Sequence, residues 1–410
     1  MESLKTTRKE NTLEIYNFDS EIRATYKQAE AHFSKRNYEL FCKYDQVMVT
    51  NSLAKATRRK ALRTILTLGN VVGKDYDTMN REDVDSLMYQ IMQRFADNKG
   101  QETYSSYDNK KHIKIFLRWV MTGSRSMSED GDPKEIRGIR MKTVKDRLSR
   151  EDLLTKEDLG QLLDACAGDA MLKAMIHVQY EAGTRPGELL NLKIKHVKAD
   201  EYGAVILVDG KTNARPVRLI ESVPDLVAWI NAHPLKENYD APLWIMRNKK
   251  QFGNALTYFS ARNYIRRIGA SSTLQKRVFM NLFRHSEATR MATILTEPEL
   301  KKRQGWTASS KMPARYVHMV DSDVEDKILG IYGLKKNNQE EIIQQPKICP
   351  ICTGRNSPEM KMCNRYGKPL DLKEALLREE SVREYMRRMM NEILRQQHSI
   401  YPTQYTQPAQ

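Results

Sequence analysis

Apolar residues recur at three- and four-residue intervals through most of this chain, and that spacing predicts helices. Over 52–68 the repeat brings Leu53 and Ala56 together with Lys60 and Arg63, giving a helix with a strongly basic face. The pattern continues over 81–95 and 104–120. In the second of these, Ile113, Phe116, Leu117 and Val120 make the apolar stripe, with Lys110, Lys111, Lys114 and Arg118 on its borders. The run 123–133 breaks the periodicity with Gly, Ser, Asp and Pro and reads as loop. A basic connector follows over 134–150, short of apolar anchors, so 123–154 is expected to link two domains.

Thr155, with Asp158 three residues on, is placed to cap a helix over 156–166. A second helix over 170–181 ends at Gly183, a plausible C-cap, and Pro186 suits the first turn of the next. The β-branched runs 204–208 and 215–220 flank Asp209-Gly210 and predict a hairpin. Helical spacing returns over 257–268, 281–295, 298–304, 311–320 and 323–331. Beyond Leu334 the chain turns polar, passes a cysteine cluster at 346–370 and a charged helix at 371–397, and ends in a Pro/Gln/Tyr tail, 398–410, too polar to order.

The chain's 410 residues suit two domains with appendages: 1–122, then 155–334 after the linker. No apolar run approaches the ~18 residues of a membrane span, and the N-terminus lacks the apolar core of a secretory signal. Five cysteines, three of them clustered, read as the usage of a reducing, cytoplasmic compartment rather than a disulfide framework. Charge adds more. With 68 Lys and Arg against 52 Asp and Glu, the formal net charge of +16 favours a polyanionic partner.

Four local patterns carry chemistry, and their order matters more than any one of them. Arg185, in Gly183-Thr184-Arg185-Pro186-Gly187-Glu188, stands at a bend between helices, where it reads as a partner of Glu188 or as a phosphate ligand. Lys211 stands at the hairpin tip, in Gly210-Lys211-Thr212-Asn213-Ala214-Arg215, where a lysine either faces solvent or reaches a neighbouring groove to give up a proton. Asn281 and Arg284 are three apart and share a helix face, with Leu282 and Phe283 turned inward. Trp306 precedes Tyr316 by ten positions, and core packing is the ordinary role of such a pair.

Together these residues resemble the tyrosine recombinase/phage integrase family, whose pattern is Arg, Lys on a β-hairpin, His-x-x-Arg, His or Trp, then Tyr. The resemblance covers about 155–334. It implies a mainly α fold with a small antiparallel β-sheet, a helical core-binding domain at 1–122 that closes around duplex DNA, and a catalytic domain at 155–334. It also implies a site-specific recombinase that cleaves and rejoins double-stranded DNA through a 3′-phosphotyrosine on Tyr316, using neither ATP nor a catalytic metal, assembled as a homo-tetramer on two DNA sites. Arg185 and Arg284 would hold the nonbridging oxygens, Lys211 would protonate the leaving 5′-oxygen, and Trp306 would support the phosphate and pack the tyrosine helix. The sequence departs from the family at Asn281, which stands where the pattern has histidine and cannot shuttle a proton. His285, one residue past Arg284, falls at another helix position and is expected to be structural.

Arg58, Arg59, Lys60 and Arg63 are candidate phosphate contacts of the N-terminal domain, the alternative being a solvated helix face. Cys349, Cys352 and Cys363 look like a zinc ribbon with Tyr366 at the fourth position. Such a site either recruits a remote ligand such as His398 or is a decayed remnant. Two other functions remain open at this level: a type IB topoisomerase with the same nucleophile, and a non-catalytic DNA-binding protein on the same scaffold.

Overall fold

A computed structural model describes residues 14–69, 73–142, 144, 148–166, 168–200, 202–210 and 214–317. It also describes 329, 347–349, 354–357, 360–363, 367, 369–370 and 387. The chain divides into two compact units, one over Tyr16–Arg147 and one comprising Met1–Ile15 with Leu148–Gln410.

The first unit is helical. Its helices are α1 (Phe18–His32), α2 (Lys35–Thr50), α3 (Lys55–Leu68), α4 (Arg81–Phe95) and α5 (Tyr104–Thr122). Their starts are locally encoded: the Ser34 side chain accepts from Asn37 N–H, while Asn80–Asp83 and Thr103–Ser106 form reciprocal capping boxes. One face of each helix enters a common core of Phe41, Tyr44, Met48, Leu62, Ile65, Ile91 and Phe116. Tyr44 and Tyr76 meet Phe116 edge-on at 5.1 and 5.0 Å.

The segment read from sequence as the start of a linker belongs to this unit. Ile136 is fully buried in its core and Ile139 nearly so, while Asp132 is paired with Lys114 at 2.8 Å and Arg118 at 2.6 Å. Two isolated isoleucines leave no periodic signature, which is why the segment resembles a connector.

The second unit is built around α7 (Ala170–Ala182), buried on nearly every side. Helices α6 (Lys156–Ala165), α9 (Val223–Ala232) and α11 (Met280–Ala292) pack against α7. Thr155 caps α6 through its box with Asp158. After the five-residue α8 (Pro186–Leu190), a three-stranded antiparallel sheet runs in the order β1 (Val197–Asp200), β2 (Gly203–Val208), β3 (Arg215–Leu219). Val208 pairs with Arg215 at the tip end of the β2–β3 hairpin. Helices α10 (Tyr258–Ser271), α12 (Glu297–Gln304) and α13 (Met312–Val317) complete the described part, followed by the short pair β4 (Lys347–Ile348) and β5 (Arg355–Asn356). No helix among the described residues is long and apolar enough to cross a membrane.

Candidate active site

The site forms where α7, α11 and α12 end or begin. Helix α12 stops in the left-handed conformation at Gly305 (φ +63°). Gly305 N–H returns to Lys302 O and Trp306 N–H to Lys301 O, the paired bonds of a Schellman cap. The next three carbonyls, which a helix end leaves without partners, are each taken by an arginine. Arg303 O accepts from Arg215 Nε at 2.8 Å, Gln304 O from Arg284 Nη2 at 2.7 Å, and Gly305 O from Arg185 Nη2 at 2.9 Å. The negative end of the helix dipole favours cations in this place. Three arginines, from the N-cap of α8, from β3 and from α11, are thereby set side by side.

Each arginine has a second anchor. Arg284 donates Nη1 to Gly183 O at 2.9 Å, bridging the caps of α7 and α12, and is buried. Burial lowers its pKa to about 10, aided by the positive charge of Arg185; Glu188 and Tyr316 act in the opposite direction. Arg185 donates Nη1 to Glu188 Oε1 at 2.6 Å, and its backbone N–H meets Oε2 of the same carboxylate. Arg215 forks onto Glu188, with Nη1 at 3.1 Å from Oε1 and Nη2 at 2.8 Å from Oε2. Burial opposes ionisation of Glu188, but Arg215 and then Arg185 outweigh it and hold the carboxyl below its ordinary range. Two glycines let these groups close up. A Cβ on Gly305 would stand 2.5 Å from Arg215 Nη1, and one on Gly210 would stand 2.3 Å from Glu188 Oε1.

The tyrosine faces this group. The Arg284 guanidinium lies 5.5 Å from the centre of the Trp306 ring, and Trp306 stacks on Tyr316 at 5.4 Å with 13° between the rings. Tyr316 is 1% exposed, and its Oη lies 2.9 Å from Nδ1 of His285. His285 follows Arg284 on α11, so one turn of helix serves both the arginine cluster and the tyrosine.

Of the site residues expected from sequence, Arg185, Arg284, Trp306 and Tyr316 come together here. Lys211 lies outside the described residues, although Gly210 and Arg215 on either side of the tip both pack on Glu188. Asn281 does not share the surroundings of Arg284: it is exposed in the first turn of α11, while Arg284 is buried. His285, expected to be structural, lies within hydrogen-bond reach of Tyr316. Arg215 was passed over although it ends the hairpin motif. Its signal was an arginine opening a β-strand opposite an apolar partner, Val208, where burial demands a counter-charge.

In the N-terminal unit, three of the four candidate phosphate contacts are paired within the unit. Arg58 forks onto Asp45 at 2.9 and 2.8 Å, Arg59 meets Glu21 at 2.6 Å, and Lys60 pairs with Asp108. Arg63 is exposed, with no carboxylate partner among the described residues. Cys349 and Cys363 are buried thiols, and Cys352, Tyr366 and His398 lie outside the described residues. Among the described residues no group of three or more potential metal ligands occurs, so nothing in the geometry supports the zinc ribbon expected from sequence.

Residues 152–323 match the model of the phage integrase family. The tyrosine recombinase XerC of Escherichia coli O1:K1 / APEC is 28% identical over 141 residues, 33% of this chain and 45% of XerC. The chain therefore spans about half the length of the curated relatives it matches, 45%. Among solved structures, the fold is similar to that of the XerH site-specific recombinase in a post-cleavage complex with palindromic difH substrate. The TM-score is 0.53 at 17% identity, covering 78% of this chain and 91% of that one. A lambda integrase tetramer bound to a Holliday junction gives 0.52 at 13% identity, over 68% and 76%. The Tn1549 transposon integrase with transposon right-end DNA gives 0.51 at 15% identity, over 72% and 98%. These likenesses bear on the fold alone: mainly helical, with a small antiparallel sheet.

Proposed function

We propose that the chain is a site-specific DNA recombinase that breaks and rejoins strands through a covalent bond to Tyr316. The observation that carries this reading is the triad of arginines on consecutive carbonyls beside a buried Tyr316 whose hydroxyl meets His285. Tyr316 Oη attacks the phosphorus and the P–O5′ bond breaks, leaving a 3′-phosphotyrosine and a free 5′-hydroxyl. His285 Nδ1 accepts the tyrosine proton, the task Asn281 is unable to perform. Lys211 gives a proton to the departing 5′-oxygen. Arg185 and Arg284 face the nonbridging oxygens, where negative charge grows, and their anchors fix them before the substrate arrives. Trp306 holds the tyrosine ring parallel to its own. The ester keeps the energy of the broken bond, so rejoining needs no nucleotide.

Double-stranded DNA is the proposed partner, and the net charge of +16 agrees with it. Assembly as a tetramer on two sites is proposed by analogy with the lambda integrase complex. The test is to recover DNA covalently trapped on the full-length protein and sequence it. Wild type should yield one recurrent junction and Tyr316→Phe none, with DNA retention unchanged. An adduct that survives in Tyr316→Phe refutes the nucleophile. Products that join strands from two duplexes, rather than only losing supercoils, separate recombination from relaxation.

A further inference from the structure

We propose that Arg215 is a positioning residue that keeps Arg185 electrostatically available to the scissile phosphate by taking up the charge of Glu188; this rests on the reading of the site given above. Glu188 has two effects on Arg185. It orients the guanidinium through a 2.6 Å bond, and its negative charge cancels the field the guanidinium would offer to an anion. A buried carboxylate with Arg185 as its sole counter-ion would leave little of that field. Arg215 changes the balance. Both its terminal nitrogens bond Glu188, one to each oxygen, and both partners are nearly inaccessible, with side-chain exposures of 9% and 2%. The forked, planar pairing is the strongest a carboxylate can make with one side chain.

Arg215, Arg185 and Arg284 together set three positive charges against one negative, so the cradle retains two. Without Arg215 it retains one, and that charge belongs chiefly to Arg284. Arg215 is also unable to substitute for Arg185 as a ligand. Its Nε is bound to Arg303 O, and its guanidinium is packed against the Gly305 backbone, where a single added methyl would stand 2.5 Å away. The Arg215 charge is felt at Arg284 as well, where it works with burial to disfavour the protonated form.

The claim separates from a merely structural role by the charge of the substrate. The full-length protein is given a nicked duplex carrying the recovered site. The scissile linkage is either a normal phosphodiester or a methylphosphonate, which carries no negative charge on its nonbridging atoms. Arg215→Gln should slow adduct formation on the phosphodiester on the order of 100-fold, the scale of losing one transition-state donor, and on the methylphosphonate by no more than about threefold. Arg215→Lys, which keeps the charge and loses the fork, should recover most of the difference. Equal loss on both substrates, or no loss on either, overturns the proposal, and so does a lysine variant no better than glutamine.

Thermal melting of each variant identifies a misfolded one, in which case the lysine variant carries the comparison. Should wild type form no adduct on either substrate, the recombinase reading fails. The charge claim is then read from tungstate alone. A tungstate-induced rise in melting temperature, kept in wild type and Arg215→Lys but lost in Arg215→Gln, supports it, and an equal rise in all three refutes it.

Discussion

Replacing Gly305 with alanine perturbs the arginine cluster without altering any of its side chains. The backbone there has φ +63°, which costs an L-residue about 1–2 kcal/mol. The added Cβ would also stand 2.5 Å from Arg215 Nη1 and 2.8 Å from Cζ. A flexible side chain would swing aside, but this guanidinium is bonded to Arg303 O and to both oxygens of Glu188. Moving it breaks at least one charge-assisted hydrogen bond, about 1.5–3 kcal/mol.

The total is about 2.5–5 kcal/mol, or about 5–20 °C in melting temperature for a unit of this size. Gly168→Ala is the internal control. It has φ +80° and no atom within 4 Å of the point its methyl would occupy, so it carries only the backbone cost. Circular dichroism melts of the two variants, run beside adduct formation, therefore isolate the displacement of Arg215. If Gly305→Ala melts within a degree of Gly168→Ala and cleaves equally fast, Arg215 is not seated as described.

Four further variants give separate outcomes. His285→Ala removes the 2.9 Å partner of Tyr316 and should slow adduct formation about 100- to 10,000-fold, with partial recovery in added imidazole; an unchanged rate assigns the proton elsewhere. Glu188 has its folded pKa below the ordinary 4.5, so the stability it contributes is complete above that value and lost as pH falls through the lower folded one. Denaturant titrations below pH 4.5 should find wild type losing stability more steeply than Glu188→Gln, and parallel slopes would refute this. In the first unit, Arg58→Ala should cost about 1.5–3 kcal/mol of stability, because it leaves the buried Asp45 carboxylate with Tyr26 but no counter-charge. Arg63→Ala should leave the melt unchanged and reduce the salt slope of DNA binding by about one; the reverse pattern would exchange their roles.

The helices with local signals are the ones legible in the sequence. Thr155 with Asp158, Gly183 and Gly305 mark their ends by side chain or by absence of one, and the β2–β3 hairpin announces itself at Asp209-Gly210. Helix α9 has Pro224 in its first turn but no side-chain cap. The N–H groups of Ile220, Glu221 and Ser222 are satisfied by Glu181, some 40 residues earlier in the chain. Strand β1 is mostly exposed and exists through its pairing with β2, so its sequence lacks alternation. In the site, side chains were readable by type and order, but the carbonyls that hold them were not, because a backbone acceptor has no letter. The His285–Tyr316 contact is hidden for a related reason: the helix position of His285 relative to Arg284 gives no hint of it, and only the fold brings Tyr316 there.

The arginine anchors run to Gly183, Glu188 and the carbonyls of Arg303, Gln304 and Gly305, and none of these partners lies on α13. The hydrogen bonds that hold the arginines are therefore independent of α13, which meets the cluster through the His285 contact and the Trp306 ring stack. Lifting Tyr316 away from Trp306 and His285 leaves every one of those arginine bonds in place. On the proposed reading, an anion site whose hydrogen bonds do not run through α13 would accept a tyrosine from its own chain or from another copy without any of those bonds being remade.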